Sequence, residues 1–322
     1  MDFIKRRILV SLIVFFVAVN LDFILPRMVP GNAAEIFASG TKFSPADVLL
    51  LEQRFGLNQP LYVQYFLFLK GIFGTWPPFF GISYNYYPLT VSGIIGIRLP
   101  WTLLLVSASL LLSFLISYIL AAVSTFKRGG KFEYGSLYSS IVLWSIPGFW
   151  IGLVLIWIFS VMLGWLPVFG NVDFNSGTGI DYIRSVLVHA ILPVITLTAI
   201  VFGQDYFLLR SAALRELRSD YVVAAESRGL NRRTLAMGYV LRNALLPLVS
   251  LLGYLIAILV SAVVVVEAVF GYPGIGDLIV DGILNRDYPV LEGTFFVMTV
   301  LVIVGGLIGD LLVLKLDPRL RR

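Results

Sequence analysis

The sequence predicts an all-α integral membrane protein with six transmembrane helices. The chain of 322 residues is 58% hydrophobic and 13% charged, and its mean hydropathy is +0.91. Soluble globular domains carry about 25% charged residues. Six apolar stretches also reach or approach the roughly 20 residues that a helix needs to cross a bilayer. Together these observations exclude a soluble globular fold.

The six stretches give the order of the predicted spanning helices. The first is longer than a typical signal-peptide core and no small-residue cleavage site follows it, so we expect it to remain as an anchor. Pro147 and Pro193 are predicted to interrupt the third and fourth helices, either as hinges or for packing. The stretches are residues 8–25, 99–126, 137–163, 187–209, 244–270 and 294–316.

The distribution of lysine and arginine predicts the orientation. Most of the 24 basic residues lie at the N-terminus, in the loop near residue 130, in the polar region 210–243 and at the C-terminus. Cytoplasmic loops carry such an excess. We therefore expect both termini in the cytoplasm. The net charge of +5 then reflects topology, and nucleic-acid binding is not expected.

The chain is predicted to form one transmembrane domain, 1–322, with an extracytoplasmic loop at 26–98 and a cytoplasmic region at 210–243. In the outer loop, Ser44 is expected to cap a helix that ends at Gly56. Residues 61–73 are apolar but too short to span, which indicates an interfacial or re-entrant element. An aromatic cluster follows that is either a membrane-interface belt or a contact surface for peptide or sugar: Trp76, Phe79, Phe80, Tyr84, Tyr86 and Tyr87.

A polar, arginine-rich island at 220–247 separates two apolar segments, and we call its first part, residues 220–230, the knuckle. A helix is expected from Asp220 to Arg228, with Gly229 in the left-handed conformation that ends it. Asn231 can cap the next helix. The small side chains of Ala224 and Ala225 would let another protein approach, and Tyr221 and Arg228 would anchor it. From the residues alone, an ordinary basic loop is equally possible.

Three other residues are candidates for a gate or a transport path. Asp205 lies in the fourth predicted span, so it should face the path or a partner, or else pair with Arg210 near the helix end. Glu267 and Phe270 precede a Gly-Tyr-Pro-Gly turn and could shape an outer gate; the alternative for Glu267 is a solvated helix end. The single histidine does not suggest a metal site, and no cofactor is expected to bind to this chain.

Motifs along nearly the whole chain resemble the dipeptide and oligopeptide permease family of ABC importers. The N-terminal FGLNQPL (55–61) resembles the member of the permease pair that has the longer first outer loop. Two departures from the general docking motif of such importers, Val223 and the late Pro247, also occur in this branch. The other matching motifs are at 210–212, 215–216, 220–221, 228–230, LRNALLP (241–247), VEAVFGYPGIG (266–276), RDYP (286–289) and 317–319.

The resemblance implies that 1–322 is a single permease domain with the type I importer fold, located in the plasma membrane of a prokaryote. It also implies that the region 210–243 is a coupling region and that the knuckle has a docking role. The chain would pair with a second, similar permease, dock one of two ATP-binding subunits and receive substrate from an extracytoplasmic binding protein. ATP and Mg²⁺ would be used by those ATPases, because this chain has no Gly-x4-Gly-Lys-Ser/Thr loop. The docking residues implied are Asp220, Tyr221, Ala224, Ala225, Arg228, Gly229 and Leu230.

The resemblance leaves the substrate open among peptides, oligosaccharides and nickel chelates, with peptides first. Two other classes were weighed from the residues. A secondary transporter would be expected to show inverted repeats and broken helices, and no repeat is evident between the halves. A membrane hydrolase would need a nucleophile and base or paired acids in the membrane, and neither is evident. An ATP-driven importer subunit is therefore the predicted function.

Overall fold

The structure is a computed structural model that describes residues 3–28, 53, 56, 58–75, 78–126 and 129–316. Within these ranges it is helical, with one isolated bridge between Ile82 and Thr90. There are two π-helical stretches: Ile156–Met162 continues α5, and Leu235–Val240 directly precedes α9. The helices are α1 Phe3–Met28, α2 Leu61–Gly74, α3 Val91–Phe126, α4 Lys131–Ser145, α5 Gly148–Leu155, α6 Ile180–Glu216, α7 Asp220–Ser227, α8 Arg232–Thr234, α9 Leu241–Ser250, α10 Leu252–Phe270, α11 Ile275–Asn285 and α12 Tyr288–Leu316.

The prediction of an all-α membrane protein is confirmed. Among the described residues, the helices α1, α3, α6, α10 and α12 are each long and apolar enough to cross a membrane. The third predicted span is a bent pair, in which α4 and the helix from Gly148 to Met162 meet at 103°. Counting this pair as one span gives six.

The two prolines behave differently. Pro147 stands at the break between α4 and α5, where the residue before it, Ile146, is extended with φ −87° and ψ 132°. Proline disfavours the helical conformation in the residue that precedes it. The prediction that Pro193 interrupts its helix is wrong, because α6 runs through it without a break. Pro193 is buried. Packing by neighbouring helices can keep a membrane helix continuous, although proline lacks the backbone N–H that would donate a hydrogen bond within the helix.

The chain divides into two compact units. Unit 1 falls within residues 1–102 and 273–301, and unit 2 within 103–272 and 302–322. The described residues of the outer loop predicted at 26–98 therefore belong to a unit that also includes α11. The proposed helix start at Ser44 lies outside the described residues, whereas Gly56 has the expected left-handed conformation, with φ +69°.

In unit 1, the short helix α2 packs against α1. Val19 and Phe23 of α1 form a buried cluster with Phe68 and Ile72 of α2. The opposite face of α2 exposes large apolar side chains, including Phe66. The segment 61–73, which was predicted to be too short to span, lies in this short apolar helix. Its interfacial or re-entrant placement remains a prediction.

Polar contacts link distant parts of unit 1. The guanidinium of Arg27 lies 3.6 Å from the centroid of the Phe23 ring and pairs with the buried carboxylate of Glu292. Ion pairs and side-chain hydrogen bonds of this kind connect α1 and the region 83–98 to the segment 277–292. The pairs are Arg27–Glu292, Ser83–Asp287, Tyr86–Asp281 and Arg98–Asp277.

In unit 2, α6 is the central helix and packs against α4, α5, α9 and α10. Small residues allow close approach at several of these contacts. A Cβ on Gly203 would collide with the carbonyl oxygen of Ser140 in α4. Similarly, a Cβ on Gly253 of α10 would lie 2.7 Å from the Cα of Gly306. Helices in membranes commonly associate through such glycines, since their backbones can then come into contact.

Candidate functional site

The knuckle has the predicted helix, turn and helix. Helix α7 covers Asp220–Ser227, and Gly229 follows in the left-handed region with φ +77°. The side-chain oxygen of Asn231 accepts a hydrogen bond from the backbone N–H of Thr234 at 2.8 Å, which caps α8. The local conformation predicted from these residue types is therefore confirmed.

The two faces of α7 differ. Asp220, Ala224 and Arg228 are exposed, as is Gly229 in the turn. Val222 and Ala225 are buried, with 3% and 4% of their surface exposed. Of the two alanines, only Ala224 therefore presents its methyl group to a partner in this structure, and Ala225 packs within unit 2. The docking roles of these residues remain predictions, as does that of the half-buried Leu230.

The tyrosine of the knuckle also contacts its own chain. The Tyr221 hydroxyl donates a hydrogen bond to the Glu216 carboxylate and accepts one from the Asn243 side-chain amide at 2.8 Å. Burial, followed by the hydrogen bond to Glu216, raises the pKa of Tyr221, so its hydroxyl stays protonated and can donate. Glu216 and Asn243 lie within the matching motifs at 215–216 and 241–247, but no role was predicted for either residue.

The surroundings of the knuckle are strongly basic. Exposed arginines lie before it, within it and after it in the chain. An acidic or phosphate-bearing surface would be attracted to such a region. These arginines are Arg215, Arg218, Arg228, Arg232, Arg233 and Arg242.

The expected pairing of Asp205 with Arg210 is wrong. Asp205 is buried in unit 2 and accepts a hydrogen bond from the Ser113 hydroxyl on α3. Arg210 pairs instead with Glu133 on α4. The sequence placed Asp205 and Arg210 only five residues apart, but the neighbouring helices provide the partners. A role for Asp205 in the transport path remains a prediction.

The other two gate candidates, Glu267 and Phe270, are both buried at the end of α10. Glu267 is 0% exposed, so its interpretation as a solvated helix end is wrong. Phe270 lies under Gly152, whose added Cβ would stand 3.1 Å from the Phe270 ring, and its carbonyl accepts a hydrogen bond from Gly170 at 3.1 Å. Both residues thus belong to the packed interior of unit 2, and their gating role remains a prediction.

The aromatic cluster of the outer loop is split between core and cavity. Tyr84 is buried with its ring centroid 6.4 Å from that of Tyr288, and Phe80 packs against Phe296 at 5.3 Å. A cavity of about 490 Å³ in unit 1 is lined in part by Phe79, Phe80, Tyr84 and Tyr87. Part of the cluster therefore serves packing, which neither sequence interpretation had included. Trp76 lies outside the described residues.

The bundle of spanning helices and the exposed polar knuckle are the features of a membrane-embedded transport subunit. The family of binding-protein-dependent transport system inner membrane components matches residues 113–322, and its N-terminal model matches residues 1–106. The chain belongs to this family.

Three relatives align with the chain over nearly its full length. The oligopeptide transport system permease protein AppB of Bacillus subtilis is 37% identical over 99% of this chain and 98% of that protein. The di/tripeptide transport system permease protein DppB of Pseudomonas aeruginosa is 30% identical over 100% and 99%. The oligopeptide transport system permease protein OppB of Haemophilus influenzae is 29% identical over 100% and 99%.

These matches confirm the class predicted from the motifs. The chain is an inner-membrane permease component of an ABC import system, which includes other subunits.

Proposed function

We propose that this chain forms half of the transport path of an importer for dipeptides or oligopeptides. It pairs with a second, similar permease and docks one of two ATP-binding subunits through residues 220–230. Those subunits bind ATP and Mg²⁺, and an extracytoplasmic binding protein delivers the peptide. Both chain termini and the knuckle lie in the cytoplasm, in agreement with the basic residues around them.

The exposed face of α7 is the observation that carries the docking role. It presents the small side chain of Ala224 and the guanidinium of Arg228 on a helix whose other face is buried in its own chain. Gly229 follows in the left-handed conformation, which ends the short helix and turns the chain. A partner with a groove of helical width can receive such an element.

Peptides are proposed as substrates because the relatives that match the full chain are named as peptide permeases. The test is transport by the complete complex, with its own binding protein, in proteoliposomes. We expect ATP-dependent uptake of labelled di- to pentapeptides. Uptake of oligosaccharides or nickel chelates without any peptide uptake would contradict the peptide assignment and leave the importer class intact.

The docking role is tested with two matched glycine variants. Gly229 and Gly238 both have open space where a Cβ would be added, but only Gly229 has a positive φ. A non-glycine residue in the left-handed region costs about 1–2 kcal/mol, and a β-branched one tolerates it least. We therefore expect Gly229→Val to reorient the turn and reduce recovery of the ATPases with the purified chain, whereas Gly238→Val should have little effect. Equal recovery with both variants would contradict the docking role.

A further inference from the structure

One side-chain cluster lies at the base of the knuckle, where Tyr221 connects three helices of unit 2. Glu216 is the last residue of α6, Tyr221 is the second residue of α7, and Asn243 lies in the first turn of α9. The tyrosine hydroxyl donates to Glu216 and accepts from Asn243 at 2.8 Å. A phenolic hydroxyl has one proton to donate, and here that proton and one lone pair are both used within this chain.

The linker between α6 and α7 forms hydrogen bonds to the backbone of the same glutamate. The backbone N–H of Ser219 donates to the carbonyl oxygen of Glu216 at 3.0 Å, and the Ser219 hydroxyl donates to the same oxygen at 2.6 Å. Helix α7 therefore starts at a fixed distance from the end of α6. The tyrosine bridge adds a second, side-chain connection between the same two helices.

Apolar packing by itself would hold α7 less specifically. Its buried face consists of Val222 and Ala225, two small side chains. Apolar burial is non-directional, whereas a hydrogen bond weakens steeply as its angle departs from linear. The bridge through Tyr221 therefore gives α7 directional contacts that oppose rotation about its own axis, in an orientation where Ala224 is exposed.

We infer that Tyr221 is a positioning residue that makes α6, α7 and α9 move as one piece when a partner displaces the knuckle. The inference rests on the proposed docking of an ATP-binding subunit at α7. It assigns to Tyr221 a task other than contacting that subunit, because the hydroxyl proton and one lone pair are already used within this chain. Glu216 and Asn243 share the task as the acceptor and donor of the bridge.

The experiment uses the complete complex in proteoliposomes and measures two quantities for each variant. One is the amount of ATPase recovered with the chain, and the other is the number of peptides transported per ATP hydrolysed. Tyr221→Phe keeps the ring and removes both hydrogen bonds. We expect normal ATPase recovery and a loss of peptides transported per ATP hydrolysed, because both directional contacts of the hydroxyl are gone.

Three further variants separate positioning from a general loss of structure. Tyr239→Phe is the matched control, because Tyr239 lies in the neighbouring π-helical stretch and its hydroxyl has no hydrogen bond among the described residues. It should leave both quantities unchanged. Glu216→Gln keeps an oxygen that can accept from Tyr221 and should retain most of the coupling, whereas Glu216→Ala should resemble Tyr221→Phe.

The outcomes distinguish this inference from the proposed function. If the unaltered chain recovers no ATPase from membranes in which a known ABC complex stays intact, the docking proposal fails. If it recovers ATPase and Tyr221→Phe couples as well as Tyr239→Phe, only the positioning role is overturned. If Tyr221→Phe loses the ATPase itself, the hydroxyl is a docking contact and the positioning role is likewise overturned.

Discussion

Replacing Gly253 by alanine should destabilise unit 2, although alanine favours helices. Gly253 lies in α10, and its added Cβ would stand 2.7 Å from the Cα of Gly306 and would face backbone, which cannot rotate away. Gly306→Ala is the matched control, because a Cβ there has no atom within 4 Å. Both glycines lie in helices, so the gain in helix propensity is the same for the two variants.

The magnitude follows from the distances. Ordinary carbon contacts begin near 3.4 Å, so the two helices must separate by about 0.7 Å at this point. Overpacking of this kind costs about 1–3 kcal/mol, and replacing glycine by alanine inside a helix returns about 1 kcal/mol. We expect Gly253→Ala to be less stable than the unaltered chain by as much as about 2 kcal/mol, and Gly306→Ala to be more stable by as much as about 1 kcal/mol.

The assay is unfolding of the purified chain in mixed micelles with increasing sodium dodecyl sulfate, followed by near-ultraviolet circular dichroism. The difference between the two alanine variants is the quantity to compare, since it does not depend on the propensity term. A difference below about 0.5 kcal/mol would refute the close backbone contact, because a real overpacking penalty exceeds that value.

Two predictions concern unit 1 and use the same unfolding assay. Arg27→Met leaves the Glu292 carboxylate buried without its cation, which should lower the free energy of unfolding by about 3–5 kcal/mol. Adding Glu292→Gln should restore most of that free energy. A double variant as unstable as Arg27→Met alone would contradict the pairing. Burial raises the pKa of Asp287 above its ordinary value of 3.8 despite the hydrogen bond from Ser83. The folded chain therefore binds that proton more tightly than the unfolded chain, and the stability from Asp287 is greatest below about pH 4 and falls as pH rises through the raised pKa. Asp287→Asn should therefore reduce the loss of stability as pH rises above about 4. Asp277 contributes a further part of this loss, because its pKa is also raised by burial. An unchanged pH dependence would count against the assignment to Asp287.

The parts of the fold that were predicted correctly depend on short stretches of chain. Spanning helices follow from the length of apolar runs, and the knuckle follows from Gly229 and Asn231, each of which acts on the backbone within a few residues. The break at Pro147 is likewise local, because proline restricts the residue before it. The docking assignment came from the resemblance to a family, since the local residues left an ordinary basic loop equally possible.

The parts that could not be predicted depend on which residues meet across the fold. Asp205 was paired with its sequence neighbour Arg210, yet Ser113 and Glu133 on other helices provide the actual partners. The burial of Glu267 was missed for the same reason, because a helix end is solvated or buried according to what packs on it.

The sequence by itself therefore determined the class of protein, the order of the membrane helices and the conformation of the knuckle, because apolar length and backbone preference are properties of short segments. Only the tertiary structure decided that Ala225 faces inward and that Tyr221 joins Glu216 to Asn243. The rotation of each helix about its axis and its register against its neighbours set those contacts. Both are determined by packing among residues that are far apart in the chain.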